Sequence, residues 1–318
     1  MKPEEIFLNK IAEELKTLET QSGFNIREEV FFPLRYAKNL PVTVQHTTIA
    51  QDDMPKDDRL GKGDYVTSIG TTSQNIVQAM VNKYKAEMAK DGVNIDILVN
   101  GQQGQRGTWR EAYNWLWNCK YPRWLEANSW DILREKAKYP ANWIQFLTKE
   151  DQQKVLAGEK VLGGGCRGAY LELPPAPEPE IKPIIPANEQ LLMQIDLKYP
   201  QYQLLLFNRS ETGTVLYCPS YGYAPKPIIE KPPLLLPQKD SWAGETKQNF
   251  LFKDKGQEEF LGIVLAKPLN LPWLIPQRQE ALPEWNGERI KELFEQLETQ
   301  NNWQVFYQSF EVVELDNP

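Results

Sequence analysis

"YQLLLFNRSETGTVLYCPS", residues 202–220, sets two apolar runs on either side of a short polar segment. Gly213, inside that segment, supplies the freedom for a positive φ, so the pattern predicts a β-hairpin. Upstream, "LLMQIDLKYP" (191–200) alternates Met193, Ile195 and Leu197 with Gln194, Asp196 and Lys198. A period of two is the mark of a half-buried antiparallel strand. Downstream, "EEFLGIVLAKPLNL" (258–271) reads as another strand, "GERIKELFEQLETQ" (287–300) as a helix, and "NWQVFYQSFEVVEL" (302–315) as a closing strand. Residues 190–318 are therefore expected to form a mostly antiparallel β domain with one late helix.

Working back, "LPPAPEPEIKPIIPANE" (173–189) alternates proline with charge. Repeated proline removes backbone donors and favours an extended chain, so the stretch reads as a semi-rigid tether between two domains. The first domain then spans 1–172. Phe7, Ile11, Leu15 and Leu18 recur at helical spacing over 3–21. "LPVTVQHTTIA" (40–50) and "VNIDILVNG" (93–101) are rich in β-branched residues and read as strands. "TTSQNIVQAMVNKYKAEMAKDG" (71–92) is predicted as a helix with Thr72 or Ser73 as cap, an apolar line of Ile76, Met80, Tyr84 and Met88, and Gly92 as terminator. Thr108 and Ser129 are expected caps for two later helices, and Thr148 with Asp151 has the form of a capping box. The expected class is α+β: an α/β N-terminal domain with a helical second half, followed by the β-rich domain.

A chain of 318 residues suits two domains, and 41% hydrophobic with 25% charged residues is the composition of a folded protein. Its formal net charge is −7, a balance that repels nucleic acid and anionic membranes. No stretch approaches the roughly 18 apolar residues needed to span a bilayer, and the N-terminus lacks a basic leader, so a cytoplasmic chain without membrane association is expected. The three cysteines, Cys119, Cys166 and Cys218, are too widely spaced for a zinc knuckle and odd in number, so reduced thiols are expected.

Three segments of the second half carry a resemblance: "YQLLLFNRSETGTVLYCPS", the proline-bounded "LLLPQKDSW" (234–242), and "GQEEFLGIVLAKPLNLPWL" (256–274), with its acidic pair followed by an apolar run and Pro-Leu. Over about residues 190–275 the chain resembles the domain-of-unknown-function family numbered 4384, common in cyanobacteria. The resemblance implies an accessory interaction or sensing module of the kind joined to peptidases, kinases and signalling or conflict proteins. It carries no catalytic residues over, and residues 1–170 resemble no named family.

Candidate chemistry is sparse. Cys166 lies in "VLGGGCRGAYLEL" (161–173), whose "CRG" is similar to the cysteine motif of caspase-like peptidases. A nucleophilic thiolate needs a base, nearly always histidine, and His46 is the one histidine of the chain. That scarcity speaks against zinc hydrolases and serine triads. The aspartates of "QDDMPKDDRLGKGD" (51–64) lack the alternating spacing of a calcium loop and read as a solvated loop, and "NGQQGQRGTW" (100–109) lacks the residues of a phosphate-binding loop. No metal or cofactor is expected. Between 106 and 138, tryptophans interleave with cations; Arg106, Arg110, Trp117, Arg123 and Trp124 are the candidate binding residues. Aromatic faces stack on bases while cations hold phosphates, but core packing and a protein interface explain the same pattern. The leading reading is a non-enzymatic adaptor with a protein partner, in a bacterial, cyanobacterial-type signalling or conflict system. The alternative is a nucleic-acid-binding or -processing protein using 106–138, and the third reading is a caspase-like cysteine hydrolase.

Overall fold

The computed structural model describes residues 2–16, 24–55, 65–100, 108–140, 142–148, 151, 183–278 and 282–314. The protein has an α+β fold, and its chain divides into two compact units, Met1–Asn128 and Ser129–Pro318. The division falls at 128/129, not at the proline-rich segment. Most of that segment lies outside the described residues, and its end, Ile184–Pro186, is a strand of the second unit.

The first unit contains α1 (Pro3–Lys16), α2 (Ile26–Arg35), α3 (His46–Asp52), α4 (Tyr65–Lys90), α5 (Ile95–Asn100), α6 (Thr108–Trp115) and a π-helical turn, Leu116–Lys120. The turn leads into α7 (Tyr121–Glu135), which crosses the division. Helix α4 is the centre, packing against α1, α2, α3, α5 and α6. The expected apolar lines hold: Phe7, Ile11 and Leu15 are buried on α1, and Ile76, Met80, Tyr84 and Met88 on α4. Leu18 lies outside the described residues. Gly92 ends α4 with a φ of +80°, as a terminating glycine does. Asn25 caps α2 through a reciprocal capping box with Glu28.

Several local expectations are corrected. Among the described residues the first unit has no strand; within the expected first domain, 1–172, the strands are instead 137–138 and 144–147, which belong to the second unit. Residues 40–45 form turns and 46–52 form α3, because the carbonyls of Val42 and Val44 accept hydrogen bonds from the buried Arg35 guanidinium instead of joining a ladder. Residues 95–100 are helical, with the Asn94 side chain accepting from the Ile97 N–H. Thr72 and Ser73 cap nothing: α4 already starts at Tyr65, and both are buried within it. Ser129 likewise lies buried inside α7, where its hydroxyl accepts from the Trp285 indole N–H at 3.0 Å. Thr148 and Asp151 do make the reciprocal bonds of a capping box.

The second unit is built on β1 (Ala137–Lys138), β2 (Ile144–Leu147), β3 (Ile184–Pro186), β4 (Gln190–Ile195), β5 (Gln203–Ser210), β6 (Gly213–Cys218), β7 (Leu234–Leu236), β8 (Phe250–Leu251), β9 (Gly256–Leu265) and β10 (Trp303–Val313). Short helix α8 (Trp242–Glu245) and α9 (Gly287–Glu298) complete it. A six-stranded sheet runs β1-β10-β9-β5-β6, with β3 also on β10; a four-stranded sheet runs β2-β4-β7, with β8 also on β4. Apart from β1 and β3, which run parallel to β10, the pairings are antiparallel. The predicted hairpin is β5–β6, turning at Gly213 with a φ of +133°.

Alternation along the regular β5–β9–β10 ladders sorts the large sheet into two faces. Leu204, Leu206, Phe260, Val264, Phe306 and Phe310 share one core with Ile144, Met193, Ile195 and Leu236 of the small sheet. Strand β2 pairs with β4, and Trp143 is buried in this core, which is why residues 129–147 belong to the second unit. On the opposite face Phe207 meets the Trp285 ring edge-on at 4.6 Å, and Trp285 meets Trp130.

Candidate functional site

Glu258 and Glu259 are neighbours on β9, so their side chains leave opposite faces of the sheet. Glu259, buried, accepts from Arg209 Nε at 2.7 Å and Nη2 at 2.6 Å. It also accepts from the Tyr307 hydroxyl, and Arg134 stands 3.7 Å away. That carboxylate is fully occupied and ties the α7 end to β5, β9 and β10. Glu258 differs. Asn208 on β5, itself 4% exposed, donates Nδ2–H bonds to Glu258 Oε2 at 2.7 Å and to the Glu259 carbonyl at 3.3 Å. Among the described residues no lysine or arginine reaches Glu258. Burial raises its pKa above the ordinary 4.5, and the Asn208 bond opposes that rise.

Glu258 lines a groove of about 400 Å³ between the β5–β6 turn and the β8–β9 connection. Strand ends create it: the chain turns at Ser210–Gly213 on one side, and Phe252–Gln257 rises on the other. Its aromatic wall is Tyr217, Tyr223 and Phe250. Tyr223 stacks on Phe250 at 4.4 Å, and Tyr217 stands edge-on to Tyr223 at 5.1 Å. Burial first, then neighbouring charge including Glu258, holds the Tyr217 hydroxyl protonated far above its ordinary range. Glu211, Asp254, Lys253 and Lys255 form the rim, and Lys255 is taken by Glu314 at 2.7 Å. The lining therefore presents one fixed, half-buried carboxyl beside the partly exposed Tyr217 and Tyr223, with Phe250 buried behind them.

The tryptophans of the tryptophan-rich segment mostly face inward. Trp109, Trp115, Trp117 and Trp130 are between 2% and 7% exposed. Trp117 donates its indole N–H to the Tyr36 carbonyl at 2.9 Å, and the half-buried Trp124 packs on Phe7 at 5.3 Å. Arg123 makes a two-pronged pair with Asp91, at 2.8 and 2.7 Å, which lowers the Asp91 pKa to about 2. Lys120 is held by Glu87. Of the candidate cations, Arg110 is exposed beside Trp109, and Arg106 lies outside the described residues.

Of the two hydrolase candidates, the structure describes His46 and not Cys166. His46 sits at the start of α3, between Phe31 and Trp109 at 5.7 and 5.3 Å, with Nε2 buried and without a partner. Burial, then the charge of Arg35, pulls its pKa down to about 4, so it is neutral at physiological pH. Arg35 lies 3.4 Å over the Trp109 ring, with no carboxylate in reach among the described residues. Desolvation draws its pKa to about 10. Its bonds to Val42 and Val44 brace the turn leading to His46. Cys166, the "GGGC" run, Gly101, Gly104, Gly107, Asp57, Asp58 and Asp64 lie outside the described residues. Cys218 is buried, and burial pushes its thiol far up. Among the described residues no three His, Cys, Asp or Glu side chains gather as metal ligands, and no helix is long and apolar enough to cross a membrane.

Asn208, Tyr217 and Tyr223 were not among the residues singled out from the sequence, and Glu258 entered only as half of the acidic pair that carries the resemblance. A signal existed: Asn208 interrupts the apolar run "LLLF", and a buried amide in a strand demands a hydrogen-bonding partner. Compared with known proteins, the chain matches no family model, no curated protein and no solved structure.

Proposed function

We propose that this chain is a non-catalytic recognition protein, an adaptor whose C-terminal β-rich unit holds a group of its partner in the groove at Glu258. One observation carries the reading: a carboxyl fixed by a buried amide, which no lysine or arginine reaches among the described residues, opens into a groove with an aromatic wall. A desolvated, uncompensated carboxyl costs folding free energy, and a ligand that supplies the missing charge recovers it. Among the described residues, His46 is wedged between rings and the Cys218 thiol is sealed, which supports recognition over turnover. A protein partner is favoured over nucleic acid by the net charge of −7 and by the inward tryptophans. The resemblance of residues 190–275 to the family numbered 4384 supports a bacterial signalling or conflict setting, with a cytoplasmic location as part of the same proposal.

The test is site-specific photo-crosslinking in the native host from position 251, where Leu251 is exposed at the groove. A single protein adduct in the full chain that disappears in Glu258→Gln, with the partner recovered at unchanged mass, is the expected result. A nucleic-acid adduct, a chemically altered partner, or an adduct indifferent to Glu258→Gln overturns the proposal.

A further inference from the structure

The groove's own chemistry narrows what it takes. Its lining carries Glu211, Asp254 and Glu258 against Lys253 and Lys255, and Lys255 is committed to Glu314. The free charge is thus negative, with the half-buried Glu258 as its inner pole. Asn208 turns its amide nitrogen toward the carboxylate and so fills one oxygen with a donor, leaving the other as acceptor. That set suits a donor ligand with positive charge. It does not suit a divalent metal ion, which asks for six to eight oxygen ligands in the case of calcium, whereas Asn208 presents N–H. Beside the carboxylate, Tyr217 and Tyr223 are partly exposed, their rings at 64° to each other. Aromatic rings lining the same groove as a carboxylate add their attraction for a cation to its counter-charge.

We infer that the groove of the C-terminal unit binds an organic ammonium group, of the lysine or methylated-amine class, with Glu258 as counter-ion and Tyr217 and Tyr223 as the aromatic wall. This rests on the recognition reading above and names the chemical group recognised. Phe250, buried behind Tyr223, keeps the wall rigid, and Asn208 is a positioning residue that holds the carboxylate. Because the ligand pairs with the ionised carboxylate, affinity falls as pH drops through the Glu258 titration. Burial places that fall above the range of an exposed glutamate.

The experiment is calorimetric titration of the full chain with butylammonium, with a neutral chain-matched alcohol, with butyrate, and with a short blocked peptide carrying one lysine. Butylammonium is expected to bind saturably and the alcohol and butyrate at least tenfold more weakly. Glu258→Gln, which keeps the Asn208 bond and the side-chain shape, is expected to lose at least tenfold, and Tyr223→Leu, which keeps apolar bulk against Phe250 but removes the ring, to lose affinity while the cooperative unfolding transition is retained. Peptide binding tighter than butylammonium identifies a protein-borne lysine; the reverse identifies a free amine. Equal binding of alcohol and amine overturns the ammonium inference but leaves the groove as a binding site. Amine binding unchanged in Glu258→Gln overturns both. Silence of every cationic probe, while the crosslinked partner still depends on Glu258, overturns the ammonium inference alone.

Discussion

Replacing Gly262 by alanine tests whether Trp143 is part of the second unit's core. A Cβ at position 262 would lie 2.8 Å from Trp143 Cη2 and 3.1 Å from Cζ3. Carbon atoms rest comfortably at about 3.5–4.0 Å, so the indole has to retreat by roughly 0.7 Å. It has little room: Trp143 is 2% exposed, packs on Phe306 at 6.1 Å, and its carbonyl is bound by the Asp196 N–H at 2.8 Å. Overpacking of this kind costs about 1–3 kcal/mol, or roughly 2–12 °C in the thermal midpoint of a domain this size. The assay is urea unfolding of the full chain, followed by near-ultraviolet circular dichroism of the tryptophans. Adding Trp143→Phe shortens the opposing side chain and removes an indole N–H that has no partner, so the double variant recovers most of the loss. A Gly262→Ala variant within about 0.5 kcal/mol of the parent refutes the placement of residues 143–147 against β9.

Two further outcomes follow from the first unit. With His46 at a pKa of about 4 when folded and 6.5 when unfolded, the unfolded chain binds the extra proton. Stability is therefore full above pH 6.5 and declines as pH falls towards 4, by about 2 kcal/mol at pH 5. The difference in urea midpoint between the parent and His46→Phe, measured at both pH values, reports that loss, and equal pH dependence in the two chains contradicts it. Asn25→Ala removes the side-chain half of the α2 capping box and is expected to cost about 1 kcal/mol in the same assay. No change there would mean that the cap contributes nothing.

The second unit was the more legible half. Its strands are regular ladders, and period-two alternation at Met193, Ile195 and Leu197 reports them directly, because one face of β4 is buried and the other is not. The short strands β1 and β2 escaped notice since their partners, β10 and β4, are far along the chain. In the first unit β-branched Val42 and Val44 misled: a buried arginine claims their carbonyls, a long-range contact that local propensity does not encode. The tryptophan-rich segment was readable as core. The junction of α6 with its π-helical turn buries Trp115, Leu116 and Trp117 in succession, which a plain helical period does not anticipate. The groove stayed hidden because it depends on the register that sets Asn208 diagonal to Glu258.

The central claim is that Glu258, held by Asn208 and reached by no lysine or arginine among the described residues, binds a cation. Carboxyl-carbon magnetic resonance of Glu258 in the full chain, titrated with and without butylammonium, measures this directly. A midpoint above 4.5 in the free chain that moves down when the amine is added is the predicted result. A midpoint at or below 4.5 that the amine leaves unchanged contradicts the account.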